Sequence, residues 1–203
     1  MKDVTVILDN GHGGLTQGKY KALAGGRFHT FSDGKSIYEG EFNRYIVTGI
    51  CMELTKLGIK YVNLVPEYKD ISLPTRVIRA NKYNKNKSFL ISVHANAGGG
   101  TGFEVFTSVG QTKSDKIADV FAREFKLEFP NERLRSAPWG DADLDKERNF
   151  HILKHTRMPA ILTENFFMDT EKECKEYLLT REGRGRIIDF HVRAIRKVIE
   201  DLY

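Results

Sequence analysis

The sequence predicts an α/β fold in one domain over residues 1–203, with a twisted, mostly parallel sheet covered by helices on both faces. Three observations carry this. Short apolar, β-branched runs alternate along the chain with longer stretches of helical periodicity. The strand runs are nearly continuous in apolar residues, as strands covered on both faces must be. No linker, repeat or low-complexity segment divides the 203 residues, a length that suits one domain with a sizeable core.

The elements follow in order. "VTVIL" reads as the first strand. "EFNRYIVTGICMELTKLG" places apolar residues at 42, 46, 50, 54 and 57, a helical stripe closed by Gly58. "IKYVNLV" is the second strand, and "SLPTRVIRANKYN" opens a helix with Ser72 and Pro74. "SFLISV" and "GFEVFTS" are the third and fourth strands, followed by the helix "SDKIADVFAREFKLEF". "PAILTENFF" is the fifth strand, and "RIIDFHVRAIRKVIEDL" the last helix. Residues 15–38 are polar, glycine-punctuated and without period. A segment that long in a compact domain is usually functional, so it reads as a flexible loop or small hairpin over the site, with Asp33-Gly34 as a turn.

Composition removes several classes of function. The charge is +5, but 32 basic and 27 acidic residues make a mixed surface rather than a nucleic-acid footprint. Arg181, Arg184 and Arg186 read as a solvated face. Two cysteines make no disulfide framework, and Cys51 falls in a helix pattern as a small core residue. No apolar run approaches the roughly 20 residues of a membrane span. The opening "MKDVTVILD" carries Asp3 and enters a strand pattern at once, which is not the pattern of a signal peptide. Synthesis in the cytoplasm is therefore expected, and a monomer.

Four residues fall where an open α/β sheet gathers ligands, beyond the carboxyl ends of strands. His12 follows the first strand, among the glycines of "LDNGHGG". His94 ends the third strand in "ISVHANAGGG", Glu164 lies at the end of the fifth, and Glu39 sits just before the first helix. Two neutral histidines and a carboxylate form a zinc set with one tetrahedral position left for water. The pattern reads as a zinc hydrolase with one Zn2+ at the strand ends. Glycines beside His12 admit metal, water and substrate close to the backbone. A phosphate cradle competes for the same glycines, but neither "GHGG" nor "NAGGGTG" has a nucleotide-binding arrangement.

Five blocks in order, "LDNGHGG", "EGEFN", "LPTRVIRAN", "ISVHANAGG" with "GFEVF", and "MPAILTENFF", resemble the zinc-dependent N-acetylmuramoyl-L-alanine amidases of bacterial autolysins and phage endolysins. The resemblance runs through nearly the whole chain. It implies that His12, Glu39 and His94 bind zinc, Asn43 completing the E-x-x-x-N stretch, and that Glu164 is the catalytic acid/base. Asn96, two residues after His94 in the same block, is a candidate substrate-binding residue. The substrate would be peptidoglycan, cut between N-acetylmuramic acid and L-alanine. Action on the wall after release or export is expected, as for a phage or prophage endolysin. Two other functions stay in view: another zinc amidohydrolase or peptidase acting on stem peptides, and a wall-binding module without catalysis.

The chain departs from the family pattern in places. Asn10 stands where proline is common, a change expected to alter only the turn. Asn165-Phe166-Phe167 replaces a Gly-Phe pair and is expected to make a bulkier pocket wall beside Glu164. Glu41 rivals Glu39, but a helix turns two residues so spaced away from each other, and the E-x-x-x-N register selects Glu39. His191 reads as structural within the last helix, and His151 and His155 as structural or surface residues. His29 reads as a loop residue without function. Arg76 and Asn81 read as packing a helix onto the sheet edge, and Trp139 as a loop anchor.

Overall fold

The computed structural model describes residues 2–20, 22–23, 25–136 and 144–203; Trp139 lies outside them. In chain order the elements are β1 (Thr5–Asn10), β2 (Leu15–Thr16), β3 (Lys19–Tyr20), β4 (Phe28–Thr30), β5 (Ser36–Tyr38), α1 (Glu39–Lys56), β6 (Tyr61–Asn63) and α2 (Leu73–Ala80). Then come β7 (Ser88–Asn96), β8 (Phe103–Thr107), α3 (Lys113–Glu128), β9 (Lys146–Glu147), α4 (His151–His155) and β10 (Ala160–Phe167). Last are α5 (Glu171–Glu173), a π-helical turn (Cys174–Leu178) and α6 (Arg181–Leu202).

Among the described residues one six-stranded sheet runs β6-β1-β7-β10-β8-β9. The pairs β6–β1, β1–β7 and β7–β10 are parallel, β8 is antiparallel to β10, and β9 lies parallel to β8. The mostly parallel sheet with helices on both faces is as the alternating pattern predicts.

Side-chain alternation divides the core. Val6 and Leu8 of β1, Phe89, Ile91 and Val93 of β7 and Ile161 of β10 join the large apolar cluster under α1, α3 and α6. Ile7, Leu90, Ala160 and Leu162 point the other way, into a smaller cluster with α2 and α4. Successive strand residues face opposite sides, so the next positions on that second face are fixed. Asp9 and Ser92 pair across β1 and β7, Ser92 and Leu162 across β7 and β10, and His94 and Glu164 one row further on. The apolar strips of the second face thus run into polar groups at the carboxyl ends.

Residues 15–38 form two small ladders rather than one loop or hairpin: β2 with β3, and β4 with β5. Asp33-Gly34 is the expected turn, with Gly34 at φ 82° and the Asp33 carboxylate accepting from Lys35 N. The segment also caps α1. Its N-cap residue Tyr38 offers no side-chain hydrogen bond. Instead Glu39 N donates to the Arg27 carbonyl at 3.0 Å and Gly40 N to the Tyr20 hydroxyl at 3.1 Å. Two of the orphan donors of a helix start are thereby satisfied from outside the helix.

Candidate metal centre

His12 leaves β1 in the left-handed region, at φ 65°. That conformation is uncommon for a residue with a side chain, and it turns the imidazole back over the strand end. The neighbouring glycine is required by packing: a Cβ at Gly11 would fall inside the His94 ring. The histidine rings meet edge to face, with centroids 5.1 Å apart. Glu39 enters from the first residue of α1. Its Oε1 lies 2.9 Å from His94 Nδ1 and its Oε2 3.3 Å from His12 Nε2. One donor atom from each of the three residues falls within 4.8 Å of the others. Glu41 faces away and accepts from Leu15 N at 2.5 Å.

A chain of buried groups fixes His94 from behind. Ser92 Oγ donates to Asp9 Oδ2 at 2.6 Å and lies 3.2 Å from His94 Nε2. The hydroxyl proton is thus spent on Asp9, and Ser92 can only accept from the ring. Nε2 is turned toward Ser92, and Nδ1 toward Glu39 Oε1. The donor set, two imidazoles and a carboxylate brought together, suits zinc. Burial opposes ionisation of Glu39, but hydrogen bonds to His12 and His94 outweigh it and hold its carboxyl well below the ordinary range. A metal ion would act in the same sense.

Asp9 Oδ1 accepts from Arg76 Nη1 at 2.6 Å. Arg76 also donates to the carbonyls of Asn10 and Ile71 and pairs with Asp70 at 3.1 Å. Arg76 therefore does more than pack α2 on the sheet: it ties α2 to the turn that carries His12. Asn81 is the packing residue expected, bonded to His155 O and Arg157 N.

Glu164 stands beside His94 on β10. Its Oε2 is shielded from solvent and has no hydrogen-bond partner among the described residues. Burial, then the negative charges of Glu39 and Glu104, push its carboxyl well above the usual range. A cavity of about 420 Å³ opens over these groups and is lined by His12, Glu39, His94 and Glu164. Leu73, Phe150, Ile152 and Leu162 supply apolar wall. Asn96 lies at the cavity, with its amide nitrogen donating to Glu104 at 2.8 Å.

Three expectations need correction. Asn165, Phe166 and Phe167 do not wall the cavity. A register shift after Glu164, with Phe166 at φ 61°, carries Phe166 into the core against Phe129 and Tyr177, and Phe167 against Gly100. Asn165 instead donates to the His94 carbonyl at 2.9 Å, tying β10 to β7 beside the cluster. Asn10 does more than shape a turn: it is fully buried, and its amide sits between Val65 O and the Arg44 guanidinium. His151, read as structural or surface, lines the cavity. The sequence reading also missed Arg27 and Asp70 in that lining. Nothing in their neighbourhoods marks them, because they reach the site only through the folding of their loops.

Fold and donor set together define a class, α/β proteins with a candidate metal centre at the carboxyl edge of a mostly parallel sheet. The chain belongs to the N-acetylmuramoyl-L-alanine amidase family, whose model matches residues 6–197. It is 28% identical over 175 residues to a sporulation-specific N-acetylmuramoyl-L-alanine amidase of Bacillus subtilis (strain 168), covering 85% of this chain and 60% of that protein. It is 33% identical over 199 residues to an endolysin of Bacillus phage SPP1, covering 96% of this chain and 65% of that one. The chain thus spans less than two thirds of the length of these relatives. In fold it is similar to an N-acetylmuramoyl-L-alanine amidase from Clostridium difficile 630, with a TM-score of 0.80, 24% identity and 100% of both chains covered. Among the described residues no helix is long and apolar enough to cross a membrane.

Proposed function

We propose that this chain hydrolyses the amide between N-acetylmuramic acid and L-alanine in peptidoglycan, with zinc held by His12, Glu39 and His94 and with Glu164 as the acid/base. The observation that carries the reading is the pairing of a metal-ready His–Glu–His cluster with an unpartnered, shielded carboxylate in one cavity. Membership of the amidase family supplies the substrate class. Bound zinc would polarise the scissile carbonyl and favour ionisation of water in the site.

The chain's own groups do the rest. Glu164 Oε2 has no partner to release, so it is free to take the proton of the attacking water and pass it to the departing amine of L-alanine. Asp9 and Arg76, through Ser92, hold the His94 ring with Nδ1 turned toward Glu39, where it could serve a metal. The apolar wall gives the substrate a nonpolar surface to pack against. Asn96, at the rim, would contact the substrate. Similarity to a phage endolysin supports a wall-lytic setting for this activity.

The test is release of soluble product from purified peptidoglycan, read as new N-terminal L-alanine rather than new reducing sugar, with chelator and zinc add-back. Alanine amines that vanish with chelator and return with zinc are expected. No new amine under any metal condition would overturn the reading and favour a wall-binding module.

A further inference from the structure

From the hairpin segment that caps α1, we infer that the Arg27 guanidinium is a recognition group for a carboxylate of the substrate's peptide. The inference rests on the amidase reading and deepens it: the favoured substrates would be muramyl peptides whose residue after L-alanine keeps a free carboxylate rather than an amide.

Position comes first. Arg27 lines the same cavity as His12, Glu39 and Glu164. Its backbone is anchored there, because its carbonyl accepts from Glu39 N at 3.0 Å. The same segment is pinned again where Leu23 N donates to Asp70 Oδ2 at 2.8 Å. The base of the side chain is therefore set against the residue that supplies the cluster's carboxylate.

Availability comes second. Two arginines line the cavity, Arg27 and Arg76. Arg76 is spent on Asp9, Asp70 and backbone carbonyls. The Arg27 side chain makes no hydrogen bond or ion pair among the described residues, and its Nε is shielded from solvent without a partner. A buried N–H donor left unpaired costs free energy that an arriving acceptor restores.

Chemistry comes third. The other ionisable groups facing the cavity are carboxylates and histidines. A guanidinium presents a planar fork that matches a carboxylate through two charge-assisted hydrogen bonds. The amide to be cut lies one residue from the second position of the stem peptide. A carboxylate there would stand close to the reacting bond, where Arg27 is the one guanidinium with donors to spare.

The test compares the γ-methylamides of N-acetylmuramoyl-L-alanyl-D-glutamate and N-acetylmuramoyl-L-alanyl-D-isoglutamine, which differ only in whether the α-carboxyl is a free carboxylate or an amide. Binding of each is measured by titration calorimetry to the full zinc-loaded chain carrying Glu164→Gln. Affinity for the acid should be about tenfold higher than for the amide, the scale of one charge-assisted pair. Adding Arg27→Gln should bring the two to within about twofold, while Arg27→Lys should keep part of the preference. Equal binding of acid and amide before Arg27 is changed, or a preference that survives Arg27→Gln, would overturn the inference. Circular dichroism of each variant checks the fold.

The wild-type chain is then given both compounds and scored for new L-alanine amino termini. Cleavage of both with no dependence on Arg27 removes the carboxylate site and leaves the amidase reading. Acid-selective binding that depends on Arg27, without cleavage of either compound, keeps the site and removes the hydrolase.

Discussion

Glu164 and His94 are neighbours across two parallel strands, yet their surroundings set them opposite tasks. His94 is fixed through Ser92 and Asp9, whereas Glu164 Oε2 is left with nothing to bond. Glu164→Gln keeps the shape and removes the base, so hydrolysis should fall by about 10²–10⁴-fold while zinc content stays at one ion per chain. Metal analysis and L-alanine release on the same preparation check this; near-normal turnover would remove Glu164 from the mechanism. Ser92→Ala strips the acceptor behind His94 and should weaken zinc binding by about 10–100-fold, the usual cost of losing such a support. Competition with a chromophoric chelator measures that directly. His12, His94 and Glu164 were legible as candidates because strand ends mark them, with glycines beside the histidines, and Glu39 because of its place at the helix start and its E-x-x-x-N register. Their supports were not. Asp9 and Arg76 stand 67 residues apart, and only the packing of α2 against β1 makes them a pair.

Elements carry a different kind of information. The period of the apolar residues located β1, β7, β10, α1, α3 and α6, because each buries one face or both. It could not give the direction of β8, which depends on the short connection from β7 and on pairing with β10. Nor could it resolve residues 15–38, which have no apolar period and are held by hydrogen bonds to the start of α1 and by burial of Phe31 and Ile37 in the core. The contact between α6 and β10 yields a prediction of its own. His191 is fully buried, with Nδ1 donating to Ile187 O at 2.8 Å and Nε2 3.2 Å from Thr163 Oγ1. Burial lowers its pKa from 6.5 to about 4, with the bond to Ile187 opposing. Below pH 6.5 the unfolded chain takes up a proton that the folded chain refuses until about pH 4. Stability is therefore full above that window and falls through it as the pH drops, by about 3 kcal/mol in all. Urea unfolding between pH 7 and 4.5 should show this slope, and His191→Gln should flatten it. An equal slope in both proteins would mean that carboxylates alone govern the acid side.

At the scale of the whole molecule, the candidate centre draws its three donors from three different elements. His12 belongs to the turn after β1, Glu39 to α1 under its hairpin cap, and His94 to the central strand β7. The ligand to be seated there therefore cross-links a turn, a helix start and a strand end, and none of those positions survives unfolding. A group that binds only the folded state stabilises it by RT ln(1 + [L]/Kd), about 4 kcal/mol when zinc is a thousand times above its Kd. In a chain of this length each kcal/mol moves the midpoint by roughly 2–4 °C, so zinc should raise Tm by about 10 °C over the chelated protein. Calorimetry with chelator and with graded zinc tests this, and the rise should be logarithmic in free zinc. His94→Ala should abolish the increment, because it removes a donor. Glu164→Gln should preserve it, because that carboxylate is assigned to the proton and not to the metal. A zinc-dependent rise that persists in His94→Ala would place the ion elsewhere on the chain. A rise lost in Glu164→Gln would make Glu164 a fourth ligand and leave the reaction without its base.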